Sequence, residues 1–238
     1  MIDTLRRSAC ALLLALSARF CFSQAVPVSG QVVIDHAASK QDVKTDNSGV
    51  VVWLTAKVPS ESAIFFPKTH GISLTQKDKH FVPDLLVVPV GSSIDFPNRD
   101  PYFHNVFSLF NGKRFDLGLY QAGETRSVRF DREGISYIFC NIHPGMHAVV
   151  VALGTPFFAV SSSTGAFVIP DVPEGEYLLH AWYERAPVAD LQRLERMVRV
   201  SGPRFVLPPL RLEESRLVAV HKDKFGRNYD QTPLTPIY

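Results

Sequence analysis

Within one short stretch, Cys140-Asn141-Ile142-His143-Pro144-Gly145-Met146, the chain carries a thiol, an imidazole and a thioether. A second imidazole, His104, lies upstream in Tyr102-Phe103-His104-Asn105-Val106. Two His, one Cys and one Met form the donor set of a blue-copper electron-transfer site. Two imidazoles and a thiolate in a plane, with a weak axial thioether, serve both Cu(I) and Cu(II) in one compromise geometry and so limit rearrangement between them. The spacing C-x2-H-x2-M makes a tight loop that folds three donors onto one point. The fourth, His104, must come from a neighbouring strand. Such a site is closed, with no vacant position for a substrate. Taken singly, each residue has a plainer reading: Cys140 as a small buried hydrophobe, Met146 as core filler, either His as structural. The four together favour a metal, and their types suit copper better than zinc. His147 is a candidate fifth or substitute ligand, but its place at a strand start should point it away from Met146. His70 and His80 read as surface residues.

Positioning four donors requires a rigid frame, and the flanking segments read as short strands. Ile72 to Thr75, Leu85 to Val90, Ser93 to Phe96, His104 to Leu109, Ser127 to Phe130, Ser136 to Cys140 and Ala148 to Leu153 are each β-rich, with turn clusters between them. The turns include Gly91-Ser92, Asn98-Arg99-Asp100-Pro101 and Asn111-Gly112, the last being the strongest short turn signal in the chain. This strand density is that of a small β-sandwich. Upstream, Val28 to Ile34 reads as a strand, and Gly49 to Leu54 is a continuous apolar run suited to a strand buried on both faces. His36 to Ser48 and Lys57 to Gly71 read as irregular connections. Downstream, Phe157 to Val160, Ala166 to Pro170, Tyr177 to Trp182, Glu195 to Val200 and Phe205 to Leu212 read as strands. Asp171 to Glu176 reads as a turn, and Pro187 to Arg193 as a loop with one helical turn. The segment from Glu213 to Tyr238 is polar and proline-containing, and reads as an extended, poorly ordered tail.

Composition sets the outer limits. The chain has 238 residues, 46% of them hydrophobic, enough for one large or two small cores. A net charge of only +2, without a basic stripe or an acidic tail, argues against nucleic acid and against a cation sink. Residues 1–25 stand apart. Arg6 and Arg7 precede the apolar run Ala9 to Leu16, and small residues follow at Ser23 and Ala25. That is the pattern of a secretory signal peptide, cleaved after Ala25 or after Ser23. The run is too short for a membrane span and Arg19 interrupts it, so no span is expected in the mature chain. Cleavage removes Arg6, Arg7, Arg19 and Asp3, so 25 basic and 23 acidic side chains become 22 of each. It also removes Cys10 and Cys21, leaving Cys140 as the one thiol. A disulfide within the mature chain is then excluded. A bound metal would protect a lone thiolate in an oxidising periplasmic or extracellular setting.

At these residues the sequence resembles the cupredoxins. Phe81-Val82-Pro83, Val90-Gly91-Ser92, Asp95-Phe96-Pro97-Asn98 and His104-Asn105-Val106 are similar to the plastocyanin pattern. The loop Cys140 to Met146 has the length and the His-Pro-x-Met ending seen in amicyanin, and is shorter than the usual plastocyanin loop. The resemblance spans residues 71–153. It implies a Greek-key sandwich and one copper ion per chain, with His104, Cys140, His143 and Met146 as its ligands. It implies that Asn105 hydrogen-bonds across to the Cys140 loop as a brace. It also implies an apolar docking patch for a redox partner protein, for which Pro101, Tyr102, Phe103, Pro144 and Gly145 are the candidates. The plainer reading of Tyr102 and Phe103 is that they pack inward.

A second resemblance lies downstream. Phe158-Ala159-Val160, Thr164-Gly165-Ala166-Phe167 and Pro170-Asp171-Val172-Pro173-Glu174-Gly175-Glu176-Tyr177 are similar to the carboxypeptidase-regulatory-like, transthyretin-type β-sandwich. That family opens with a Ser-Gly-x-Val strand and an apolar strand, which match Ser29-Gly30-Gln31-Val32 and Val50 to Leu54. The expected fold is therefore all-β: a cupredoxin sandwich plus a second small Ig/transthyretin-like sandwich. Residues 26–70 with 154–213 would form the second sandwich, 71–153 the inserted cupredoxin, and 214–238 the tail; a sequential layout with 26–153 as one unit is the competing arrangement. The function expected first is a periplasmic or secreted one-electron carrier. Copper capture or delivery, or an adaptor binding glycan or protein through the second sandwich, comes next. An enzyme ranks last, because no nucleophile–base pair or open metal site is visible.

Overall fold

The computed structural model of the chain describes residues 25–36, 46–58, 71–109, 112–214 and 223–227. The leader, most of the two irregular connections, His70, Asn111 and the rest of the tail lie outside the described residues. The architecture is all-β. β1 (Ala25–Asp35) and β2 (Val51–Ala56) come first. β3 (Thr75–Lys77), β4 (His80–Val82), β5 (Leu85–Pro89), β6 (Ser93–Pro97), β7 (His104–Ser108), β8 (Phe115–Tyr120), β9 (Thr125–Arg129), β10 (Gly134–Cys140) and β11 (His147–Leu153) follow. β12 (Phe158–Val160), β13 (Ala166–Pro173), β14 (Gly175–Trp182), a short helix α1 (Val188–Leu194), β15 (Arg196–Val200), β16 (Phe205–Val206) and β17 (Leu210–Glu213) complete the order.

Strand pairing sorts these elements into two groups. One sheet runs β5-β11-β10-β7-β8, with β5 parallel to β11 and the other pairs antiparallel. Two short ribbons, β6-β9 and β3-β4, accompany it. The side-chain period of two along β10 and β11 sends Ile138, Cys140, Ala148, Val150 and Ala152 into one core with Ile94, Phe96, Val106 and Val128. β1 pairs with β13, β16 and β17, and β2 with β12 and β14, so the first two strands pair with strands that follow residue 157. Their core holds Val28, Val32, Val52, Leu54, Ile169 and Leu179.

The two groups share a face. The run from Val50 to Leu54 that leads through β2 is apolar because both its sides are covered: Val50, Val52 and Leu54 face the second core, while Val51 and Trp53 face the opposite way. There they join Val149, Val151 and Leu153 of β11, Tyr137 of β10 and Trp182 of β14 in a third apolar cluster. Each such buried aliphatic or aromatic side chain contributes about 1.5–3 kcal/mol relative to exposure, so this shared face ties the frame of the Cys140 loop to the second group.

Three sequence expectations are corrected. No strand was expected between Gly112 and Tyr120, yet β8 occupies Phe115–Tyr120 as an edge strand beside β7. Asp171 to Pro173 is not turn but strand: β13 continues to Pro173, with Asp171 at φ 54° beside a register irregularity in β1, and the chain reverses only around Glu174. Residues 223–227 form a closed turn, with Gly226 N–H donating to the Asp223 carbonyl at 2.9 Å and Asp223 N–H to the Arg227 carbonyl at 2.9 Å.

Candidate metal centre

Cys140 is the last residue of β10 and pairs across to Val106 of β7, so His104 lies two residues from the same rung. The loop after Cys140 is stitched at its base: Cys140 N–H donates to the Met146 carbonyl at 3.1 Å, and Met146 N–H to the His143 carbonyl at 3.0 Å. This closure swings His143 back over the strand end. Cys140 Sγ lies 3.7 Å from His104 Nδ1 and 3.4 Å from His143 Nδ1, and the two Nδ1 atoms are 3.1 Å apart. Cys140 and His104 are fully buried. Met146 is also buried, in the same apolar cluster as Cys140, whereas the adjacent His147 is exposed. A metal ion bound at about 2.0 Å by nitrogen and about 2.3 Å by sulfur separates its donors by roughly 3.3–3.8 Å. The observed triangle comes within a few tenths of an ångström of that, so the donor set fits one transition-metal ion.

The tautomer of His104 is decided by its other nitrogen. Nε2 donates to Asp100 Oδ2 at 2.7 Å, with both side chains buried. That leaves the Nδ1 lone pair turned toward Cys140 and His143, as a ligand requires. Asp100 is itself held from outside. The two-residue turn between β3 and β4, Asp78-Lys79, has φ of 54° and 59° at its two positions, the left-handed geometry of a tight hairpin. This aims its amides at the carboxylate: Asp78 N–H donates to Oδ1 at 2.6 Å and Lys79 N–H to Oδ2 at 3.0 Å. Asp100 N–H donates to Asn98 Oδ1 at 3.0 Å, and Asn98 Nδ2 donates to the Tyr102 carbonyl at 2.8 Å, which closes the turn leading into β7. Burial raises the Asp100 carboxyl pKa, but the Lys79 amide, the His104 ring and the Asp78 amide outweigh it and hold it below the usual range.

The other two donors are tuned by desolvation. Burial pushes the Cys140 thiol up, and the amides of Asn105, Ile142 and His143 pull the other way by favouring the thiolate. A cation at the site would complete what those amides begin. His143 is pushed down to about 4, mainly by burial and next by the neighbouring His104. Its imidazole is therefore neutral, and free to ligate, across the physiological range. Unfolded, it would take up its proton near 6.5, so between about pH 6.5 and 4 the unfolded chain holds more protons than the folded one. Stability of the metal-free protein is thus expected to fall as pH drops through that window and to lose no more from this group below it. Allowing for partial exposure of the ring, the loss is about 2 kcal/mol. Denaturant midpoints at pH 7, 5.5 and 4 would test it: His143→Phe should flatten the slope, and an unchanged slope would contradict the assignment.

Asn105 is buried, and its side chain makes its hydrogen bond to β8. Nδ2 donates to Asp116 Oδ1 of β8 at 2.7 Å, while Oδ1 is buried without a partner. The crossing to Cys140 is made by the Asn105 backbone amide. Pro101, Tyr102, Phe103, Pro144 and Gly145 are all exposed, Phe103 by 55%. Tyr102 borders His143, its ring 5.9 Å from the His143 ring, Pro144 and Gly145 follow His143 directly, and the Lys79 ammonium lies 5.3 Å from the Tyr102 centroid. The inward-packing alternative for Tyr102 and Phe103 is thereby excluded. Sequence reasoning took Asp100 only as a turn residue. The available signal was an acidic residue four positions before a candidate His ligand, in the turn that opens its strand.

No family model and no curated protein matches the chain. Among solved structures it is similar to a purple cupredoxin from Nitrosopumilus maritimus, at 24% identity over 34% of this chain and 96% of that one, with a TM-score of 0.31. It is also similar to a reduced amicyanin variant, at 22% identity over 42% and 99% of the two chains, with a TM-score of 0.33. A copper-containing nitrite reductase from Thermus scotoductus matches at 22% identity over 40% of this chain and 27% of that one, with a TM-score of 0.34.

Proposed function

We propose that the chain is a one-electron carrier of the cupredoxin kind, in which His104 Nδ1, Cys140 Sγ and His143 Nδ1 would hold a single copper, with the Met146 thioether as a fourth, weaker donor. The observation that carries this reading is the convergence of two imidazole nitrogens and one thiol within 4.8 Å of one another at the end of a paired strand. Copper, when bound, supplies exchange between Cu(II) and Cu(I). The chain supplies the rest. Asp100 fixes the His104 ring, the stitched loop fixes Cys140 and His143 relative to each other, and the surrounding core keeps water from Cys140. Donors held this firmly rearrange little between oxidation states, which is what rapid electron exchange requires. The soft sulfur donors favour copper over zinc, and every donor in the set goes to the metal, which suits a carrier better than a site of turnover.

His143, half-buried among exposed Pro101, Tyr102, Phe103, Pro144 and Gly145, is the proposed contact with a redox partner protein. A small, largely uncharged patch suits brief docking. The leader reading makes the proposed location periplasmic or secreted. The proposed layout is an inserted one, with residues 71–153 as the copper sandwich within a carboxypeptidase-regulatory-like sandwich of 26–70 and 154–213. The pairing of β1 and β2 with strands after residue 157 supports that layout.

The test of function is electrochemical. Copper-loaded protein adsorbed on an electrode is expected to give one reversible one-electron wave. Protein that holds copper stoichiometrically and stays silent across the accessible range would favour capture or delivery instead.

A further inference from the structure

The turn at residues 223–227, far from the donors in sequence, sits directly on their loop. It is a self-contained unit. The Asp223 carboxylate accepts from Phe225 N–H at 2.9 Å, Arg227 N–H at 2.8 Å and Arg227 Nε at 3.1 Å, and Gly226 takes the φ of +78° that the reversal needs. Asp223 is itself buried. A turn closed by its own side chain presents a fixed face, and Lys224 is on that face. Its backbone N–H donates to Asn141 Oδ1 at 2.9 Å, and its ammonium pairs with Asp116 Oδ2 at 2.7 Å.

Asn141 follows Cys140, and Asp116 is the acceptor for Asn105, which follows His104. Asp116 also takes the Gly118 amide at 2.9 Å, so its carboxylate is anchored in β8. Burial raises the Asp116 carboxyl pKa, but Lys224 leads the groups that outweigh this and keep it ionised. The chain of contacts therefore runs Asn141–Lys224–Asp116–Asn105, from the residue after one donor to the residue after another. Asn105 itself meets Cys140 through its backbone amide, and this four-membered chain adds a side-chain tie across the same gap.

We infer that residues 223–227 are a clasp on the metal loop, with Lys224 as a positioning residue that holds Asn141 against the β7–β8 pair and thereby restrains the Cys140-to-Met146 loop. The role of the clasp in retaining an ion rests on the copper reading. Its mechanical role concerns the metal-free chain and stands separately. With the clasp gone, Asn141 loses its amide partner and Asp116 its cation, while the two hydrogen bonds at the base of the loop remain. Local opening then becomes easier without loss of either core.

Two variants of the full-length protein and a chain shortened after Glu214 test this. Lys224→Met removes the ammonium and keeps the chain; Lys224→Arg keeps a cation. The first readout is amide hydrogen exchange of residues 141–146 without metal. The second is the rate at which protein loaded with Cu(I) alone yields it to an excess of chelator. Shortening is expected to speed both roughly tenfold, Lys224→Met to give a smaller increase in both, and Lys224→Arg to stay near wild type. The unfolding midpoint should move little in any of them. Exchange at 141–146 that is unchanged in both the shortened chain and Lys224→Met would overturn the clasp, whatever the chain binds. Failure of the wild-type chain to hold copper would instead remove the copper reading and leave the exchange result to decide the clasp. If the shortened chain does not fold, the point variants decide it.

Discussion

Asp100→Asn is expected to lower copper affinity 10- to 100-fold, while stability of the metal-free protein falls by only about 1–2 kcal/mol. The two effects separate because Asn keeps the size of Asp but not its hydrogen-bonding sense. Asp100 accepts three times: from the amides of Asp78 and Lys79 and from His104 Nε2–H. The amides reach different oxygens and His104 shares Oδ2 with Lys79, so an asparagine either sets its Nδ2 against Asp78 N–H or turns it toward both Lys79 N–H and the ring. In the second orientation His104 would carry its proton on Nδ1, pointing at Cys140 and His143, and could not ligate without a change of tautomer; in the first it keeps Nε2–H but loses the carboxylate charge that raises its basicity as a ligand. Asp100→Ala removes all three acceptors and leaves the Nε2–H buried and unpaired. It should cost about 3 kcal/mol of stability and still leave His104 free to take the ligating tautomer. Denaturant unfolding of the metal-free proteins and competition with a calibrated chelator give the two numbers. Equal copper affinity in wild type and Asp100→Asn would refute the role of the Asp100 carboxylate in fixing His104 as a ligand.

Trp182→Ala is expected to destabilise the chain by about 3–5 kcal/mol and to split its unfolding into two steps. Trp182 pairs with Val51 across β14 and β2 and fills the apolar cluster that also holds Val149, Val151 and Leu153 of β11. Those residues lie one step out of phase with Ala148, Val150 and Ala152, so one strand serves two cores. Emptying the shared cluster weakens the link between the two groups of strands without entering either main core. Calorimetry should show a single transition in wild type and two in the variant, the copper-dependent one assignable by its shift on loading. Limited proteolysis of the variant should release residues 71–153 from flanks that stay together. Flanks that separate would contradict the inserted layout.

The convergence of His104, Cys140 and His143 was legible because a candidate metal site is written in types and spacing. Cys140, His143 and Met146 share one loop, and His104 heads a strand of unbroken burial from His104 to Ser108. β2 was legible for a related reason: a run without polar relief has apolar contacts on both faces. What escaped reading depended on partners remote in sequence. β8, Phe115-Asp116-Leu117-Gly118-Leu119-Tyr120, alternates weakly because it is an edge strand, and Gly118 at φ +68° interrupts it beside an irregularity in its pairing with β7. Asp171-Val172-Pro173 has turn composition, yet its bulged pairing with β1 keeps it in the sheet. Asp100 and Lys224 act through individual polar contacts, among them hydrogen bonds to residues 21 and 83 positions away, and no periodicity announces such contacts. A polar tail segment read as featureless for the same reason: five residues suffice for a clasp and leave no pattern.

The copper claim stands or falls most directly on the colour of the protein. Loaded with one equivalent of Cu(II), the wild-type chain should show an intense thiolate-to-copper absorption near about 600 nm. Cys140→Ser should abolish it and His147→Ala should leave it unchanged. A wild-type protein that binds Cu(II) without that band, or a band that survives in Cys140→Ser, would contradict the site described here.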